Sequence, residues 1–198
     1  MKKFKIIYAD CPWEYKDKRD KGKRKFGGAE VHYKSLSLDA LKELRVNEIA
    51  DENCFLFLWA TFPNLNIAFD VIKSWGFTYK TIAFNWIKLN KKNKDPFFGI
   101  GAYTRSNSEI CLLATKGKPK VINKSISSIH MSPREEHSKK PNEIRDKIVS
   151  LCGDISRLEM FAREKYEGWT CLGNEIDGKD IRDALKELTL RRSKFKIK

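Results

Sequence analysis

The apolar positions of this chain fall into short blocks separated by polar or Gly/Pro-containing stretches. Ile6-Ile7-Tyr8-Ala9, Cys54-Phe55-Leu56-Phe57-Leu58-Trp59, Tyr79 to Ile87, Glu109 to Thr115, Ile155 to Phe161 and Trp169 to Gly173 each have the length and composition of a strand. The nearly continuous apolar runs among them predict strands buried on both faces. Helical spacing appears between them: Leu38, Leu41 and Leu44 follow Ser37, a potential N-cap, and Leu65, Ala68, Phe69 and Ile72 follow Asn64 and end at Gly76. Ile144, Ile148 and Leu151 predict a third helix, with Pro141 at its first position and Gly153 as its stop. Strand alternating with helix predicts βαβ units with parallel neighbours, hence an α/β fold.

Three stretches carry neither period. Glu14 to Lys25 holds seven Lys/Arg and leads into Phe26-Gly27-Gly28-Ala29, predicting a long loop whose cations either grip phosphates or are simply solvated. Lys88 to Lys94 is basic and opens into Asp95 to Tyr103, a Gly/Pro/aromatic segment, while Gly117 to Lys140 is polar and predicts a second long loop. Arg191 to Lys198 holds five cations and reads as a frayed basic tail after a single domain over 1–190.

The first apolar block ends at Asp10-Cys11-Pro12-Trp13. In parallel α/β sheets the ligand crevice lies beyond the carboxyl ends of the strands, which places Asp10 at its rim. A carboxylate and the Pro12 carbonyl, held on a stiff backbone, can accept two hydrogens from one amino group, and Trp13 adds a flat apolar face. Together they could receive an aromatic amine and localise its nitrogen lone pair for attack on a methyl group. The same residues also suit an ordinary strand-to-loop turn with a buried Trp. Gly173-Asn174-Glu175 ends another predicted strand, where an acid can bind ribose hydroxyls.

With 198 residues, 41% of them hydrophobic, the chain can bury a sizeable core. No run reaches the ~20 apolar residues of a membrane span, and Met1 to Tyr8 lacks a secretory pattern, so a soluble, cytoplasmic protein is expected. Cys11, Cys54, Cys111, Cys152 and Cys171 form no CxxC pair, and His32, His130 and His137 lie far apart; buried free thiols and no metal are expected. Forty Lys+Arg against 26 Asp+Glu leave a net charge of +14, which points to a polyanionic partner, most often nucleic acid.

The order of these blocks resembles the MT-A70 family of S-adenosylmethionine-dependent adenine N6-methyltransferases, especially its short bacterial and phage members. Asp10-Cys11-Pro12-Trp13 is similar to the family's Asp-Pro-Pro-Trp motif, His32 to Ser37 to the segment after the first loop, and Phe55 to Trp59 to its second strand. Trp75-Gly76-Phe77, Trp86-Ile87-Lys88, Ser108 to Cys111, Ser138 to Glu143 and Leu158 to Glu175 follow at matching spacing, so the likeness covers roughly residues 4–178.

The resemblance implies a Rossmann-like class I methyltransferase fold, a mostly parallel sheet with helices on both faces, in which the catalytic motif precedes the cofactor motif. It implies that Asp10, Pro12 and Trp13 are catalytic. Asp10, Cys11, Lys140, Glu159, Phe161, Arg163, Asn174 and Glu175 would hold S-adenosylmethionine, with Lys140 on its methionine carboxylate. Trp13, Tyr15, Lys23, Arg24, Asn107 and Glu109 would line the target side. Two departures stand out: Cys11 replaces the motif's first proline, and Lys165 stands where some relatives carry histidine. The implied substrate is adenine in DNA, with RNA or a noncatalytic nucleic-acid-binding role as alternatives, and with a homodimer or partner subunit left open. The implied location is the cytoplasm of a bacterial cell or phage-infected host.

Overall fold

The computed structural model describes residues 3–14, 35–99, 101, 103–135 and 139–193. Its central strand is β1, Phe4–Ala9, whose side chains alternate between two cores: Ile7 and Ala9 enter one, Ile6 and Tyr8 the other. The chain continues through α1 (Leu38–Lys42), α2 (Val46–Ile49), β2 (Ala50–Ala60), α3 (Leu65–Ser74), β3 (Thr78–Leu89), β4 (Ser108–Lys116) and β5 (Ile129–Pro133). It then forms α4 (Glu143–Cys152), β6 (Arg157–Met160), β7 (Thr170–Leu172), α5 (Asn174–Asp177) and α6 (Ile181–Ser193).

The strands form one sheet in the order β5-β3-β4-β2-β1-β6-β7. β4 runs antiparallel to β2 and β3, and the other four pairings are parallel. The carboxyl ends of every strand but β4 therefore share one edge, where β4 begins. At β1 the chain leaves toward β2 on one side and returns on the other as β6, which makes the end of β1 a topological switch point.

Helices cover both faces. Leu41 of α1, Ala68, Val71, Ile72 and Trp75 of the α3 region and Ile181, Leu185 and Leu188 of α6 pack on one; Ile144, Ile148 and Cys152 of α4 pack on the other. Trp75 is fully buried and its indole N–H donates to the Leu41 carbonyl at 2.8 Å, so α1 and α3 are tied by a satisfied polar group within apolar packing. This is the mostly parallel α/β architecture that the sequence predicts.

Local details differ from the sequence expectations. Ser37 caps α1, accepting from the Ala40 N–H at 3.2 Å, but Asn64 stands at the start of α3 without a capping bond and instead donates to Thr61 Oγ1 at 3.2 Å. Pro141 lies before α4 rather than at its first position, its carbonyl accepting from the Ile144 N–H at 3.2 Å. The stretch from Gly117 to Lys140, expected to be irregular, contains β5, parallel to Asn85–Leu89 of β3. Ile129 and Met131 of this edge strand are exposed while His130 and Ser132 are half-buried, so its alternation runs opposite to that of a core strand. The expected tail boundary at 191 falls inside α6, which continues to Ser193, and the strands expected at Ile155 to Phe161 and Trp169 to Gly173 are shorter.

Candidate active site

The carboxyl edge of the sheet opens into a cavity that passes in turn over the ends of β4, β2, β1, β6 and β7, a row about 19 Å long at ~4.8 Å per strand. Asp10, Cys11, Pro12 and Trp13 line its middle, directly after β1. Here the backbone turns tightly: the Trp13 N–H donates to the Cys11 carbonyl and the Leu36 N–H to the Pro12 carbonyl, both at 2.9 Å. A carbonyl has two lone pairs, so among the described residues Pro12 keeps one acceptor site. Trp13 is anchored by its indole N–H, which donates to the Trp59 carbonyl at 3.1 Å, while the Trp59 indole donates to the Tyr8 hydroxyl at 2.7 Å.

Toward β4, charges alternate along the wall. The Lys140 ammonium lies 2.8 Å from Asp10 Oδ2 and 3.2 Å from Glu109 Oε2, and the Lys88 ammonium bonds the other Glu109 oxygen. Strand register explains the last contact: Trp86 of β3 faces Glu109 of β4, so Lys88, two residues on, reaches Glu109 diagonally across the antiparallel pair. Burial raises the Asp10 carboxyl above its usual range, and Lys140 only partly reverses this. Burial would also raise Glu109, but Lys140 and Lys88 outweigh it and hold that carboxyl low. Burial opposes the charge of Lys140, yet the two carboxylates keep it firmly protonated. Burial followed by the Asp10 charge pushes the Cys11 thiol well up, so Cys11 stays neutral and is no nucleophile.

Toward β7, the lining passes to Phe161, Arg163, Gly173, Asn174 and Glu175, with the Arg163 Nε donating to Glu175 Oε1 at 3.2 Å. Phe161 adopts φ 62°, a conformation that costs a bulky side chain energy and that concentrates at functional sites. The turn holding it is pressed against β7: the Ala162 N–H donates to the Leu172 carbonyl at 2.8 Å, and a Cβ on Gly173 would stand 2.1 Å from the Ala162 carbonyl oxygen. Only glycine fits that approach.

Most of the expected site residues thus converge on one cavity. Glu159 does not line it. Its carboxylate is buried on the α4 side in a two-pronged ion pair with Arg145, at 2.7 and 2.6 Å, which departs from the cofactor contact expected of it. Asn107 is also outside the lining, its carbonyl accepting from the Lys88 N–H at 2.9 Å, and Lys165 is exposed. Of the two loops expected to grasp nucleic acid, Glu14 to Ala29 and Val121 to His137, residues 15–29, with Tyr15, Lys23 and Arg24, and residues 136–137 lie outside the described residues.

The sequence reading missed Trp59, Thr61 and the start of α6, where Asp180, Ile181 and Arg182 close the far end of the cavity. Ile181, Ala184, Leu185 and Leu188 have the apolar spacing of a helix, but nothing local shows that its start lines the cavity. Among the described residues no group of three or more His, Cys, Asp or Glu could hold a metal ion, and no helix is long and apolar enough to cross a membrane.

A crevice at the switch point of a mostly parallel sheet, with a carboxylate and a carbonyl at its centre, is consistent with a Rossmann-like methyltransferase fold. The MT-A70 family model matches residues 4–175, and the chain belongs to that family, whose methyltransferases depend on S-adenosylmethionine. The type II methyltransferase M.MunI of Mycoplasma sp is 33% identical over 196 residues, covering 91% of this chain and 81% of that protein. The human N(6)-adenosine-methyltransferase catalytic subunit METTL3 is 26% identical over 185 residues, covering 91% of this chain and 30% of that protein. The human N(6)-adenine-specific methyltransferase METTL4 is 26% identical over 199 residues, covering 88% of this chain and 38% of that protein. The chain spans less than two-fifths of these two human relatives.

Proposed function

We propose that the chain transfers a methyl group from S-adenosylmethionine to the N6 amine of adenine in DNA, acting in the cytoplasm as one catalytic unit. The observation that carries this reading is the single cavity joining the Asp10–Pro12 acceptor pair to the Phe161–Glu175 end. The cofactor supplies a sulfonium-bound methyl, an electrophile that an unactivated aromatic amine attacks poorly.

The chain's residues fit both partners. Asp10 and the free lone pair of the Pro12 carbonyl take the two amine hydrogens and draw the nitrogen toward tetrahedral geometry, so that its lone pair points along the cavity. As the N–C bond forms and the S–C bond breaks, the nitrogen becomes acidic and its proton passes to Asp10 or to water. Trp13, fixed by Trp59, sets the plane of the base. Of the cations lining the cavity, Lys140 is the one beside Asp10, and it suits the methionine carboxylate of the cofactor. Asn174 and Glu175 suit ribose hydroxyls, and Phe161 the adenine ring. Glu159 holds Arg145, and through it the α4 side of the sheet, rather than the cofactor.

DNA is favoured as the acceptor by the likeness to the type II methyltransferase M.MunI, 81% of which the chain spans. An adenine inside a duplex must first leave the stack, and the cationic surface around the cavity suits the flanking phosphates. The test is methyl transfer from isotopically labelled S-adenosylmethionine to unmethylated duplex DNA, single-stranded DNA and RNA in parallel. The reading expects label in DNA adenine; label confined to RNA would move the acceptor, and label in none would remove the activity.

A further inference from the structure

Beyond the Glu109 end of the cavity, β3 runs on into a hairpin that turns back on itself. The Asn90 N–H donates to the Asp95 carbonyl at 2.9 Å, Leu89 bridges Pro96, and the Phe97 N–H donates to the Lys88 carbonyl at 2.7 Å. A second return follows, the Gly99 N–H donating to the Ser106 carbonyl at 3.0 Å, three residues before Glu109. Both turns therefore stand on the carboxyl edge beside the wall that holds Lys88, Glu109 and Lys140.

The chemistry of this projection is distinctive. Lys91, Lys92 and Lys94 are exposed, and no ion pair joins them to another described residue. Asp95, the acid between them and the ring of Phe97, is occupied by the Asn93 amide at 2.7 Å. Arg134, directly after β5, lies over Phe97 with its guanidinium carbon 3.4 Å from the ring centroid. Glu135 and Glu143 face the hollow beneath the hairpin, but Glu135 pairs with Lys139 at 3.1 Å and Glu143 lies 3.9 Å from His130. Phe98 is 68% exposed and Tyr103 fully so.

We propose that this face is the track for the DNA strand that flanks the target adenine. Lys91, Lys92, Lys94 and Arg134 take phosphates, and Phe98 and Tyr103 take unstacked bases. Exposed cations and exposed aromatic rings on the same two-turn projection suit the phosphates and bases of an unpaired strand. An acidic protein would account for the cations but not for the exposed rings. The inference rests on the cavity receiving adenine from DNA, and it says where the rest of that strand lies.

The test is the salt dependence of binding to a fluorescein-labelled single-stranded oligodeoxynucleotide of mixed sequence. Lys91→Gln/Lys92→Gln/Lys94→Asn removes three charges, with Asn suiting the left-handed backbone of Lys94 at φ 60°. Each lost phosphate contact lowers the slope of log affinity against log salt by about 0.7, so the triple variant should lose about 2. Lys73→Gln/Lys80→Gln/Lys118→Gln, on the opposite edge, should leave the slope unchanged. Phe98→Ala/Tyr103→Ala should weaken binding at least about thirtyfold at an unaltered slope. Equal slopes for the two charge variants, or no binding by the parent chain, overturn the track. S-adenosylhomocysteine affinity, measured alongside, judges the cavity separately: its absence in the parent chain sinks the methyltransferase reading, while the slopes still decide the track.

Discussion

The ion pair between Arg145 and Glu159 separates two roles for Glu159, and its energetics are large enough to measure. Both side chains are 7% exposed, both carboxylate oxygens accept from the guanidinium, and Arg145 also donates to Asn142 Oδ1 at 2.7 Å and lies over the rings of Tyr8 and Tyr166. Arg145→Met strands the carboxylate between β1 and β7. Breaking a buried pair in this way costs about 3–5 kcal/mol, which is a third or more of the stability of many domains. At roughly 2–4 °C per kcal/mol for a chain of this size, the melting temperature should fall by about 6–20 °C. Arg145→Met/Glu159→Leu removes both charges and should recover most of that loss, because the desolvation penalty goes with them. The assay is thermal unfolding followed by calorimetric titration with S-adenosylhomocysteine. If Glu159 only holds Arg145, the double variant melts near the parent and binds within about threefold of it. A double variant that recovers its melting temperature but no longer binds would refute this reasoning and return Glu159 to the cofactor.

Four further outcomes follow from the same geometry. Asp10 must be ionised to accept amine hydrogens, and its carboxyl is raised above its ordinary 3.8; as pH falls, kcat/KM should therefore drop at a pH above that value, a limb that a pH–rate profile shows and that Asp10→Asn removes. Glu109 has the opposite sign: its folded carboxyl lies below the ordinary 4.5, so its stabilising contribution is complete above 4.5 and is lost as pH falls through the lowered value, and Glu109→Gln should flatten acid unfolding in that window. Gly173→Ala places a methyl 2.1 Å from the Ala162 carbonyl oxygen, so it should lower both melting temperature and S-adenosylhomocysteine affinity. Phe161→Gly relieves about 1 kcal/mol of left-handed backbone strain while deleting the ring; titration should show weaker cofactor binding without a matching loss in the thermal melt.

The strands that carry the site were readable because β1 and β2 are buried on both faces, which leaves apolar runs no surface element would tolerate. The position of Asp10 followed from where such a run stops. β5 was not readable, because an edge strand with Ile129 and Met131 facing solvent reverses the usual signal and ends in a proline. The pairing of Lys88 with Glu109 depends on the register between β3 and β4, which two irregularities in β3 help to set and which no local pattern fixes. The direction of the Glu159 side chain follows from its strand rather than from its motif. Its place in a motif suggested a ligand, but on a strand the side-chain direction alternates, and Leu158 and Met160 take the face toward α3 and α6. That leaves Glu159 on the side of α4, where Arg145 meets it.

The central claim is that Asp10 presents an adenine amine to a methyl donor bound in the same cavity. The most direct measurement uses S-adenosylmethionine with a deuterated methyl group and nucleoside mass spectrometry of the DNA product, for the parent chain and Asp10→Ala, with S-adenosylhomocysteine affinity measured for both. The account predicts deuterated N6-methyladenine from the parent, its loss by several orders of magnitude in Asp10→Ala, and cofactor affinity that changes little. Undiminished transfer by Asp10→Ala, or label on any atom other than N6, would contradict it.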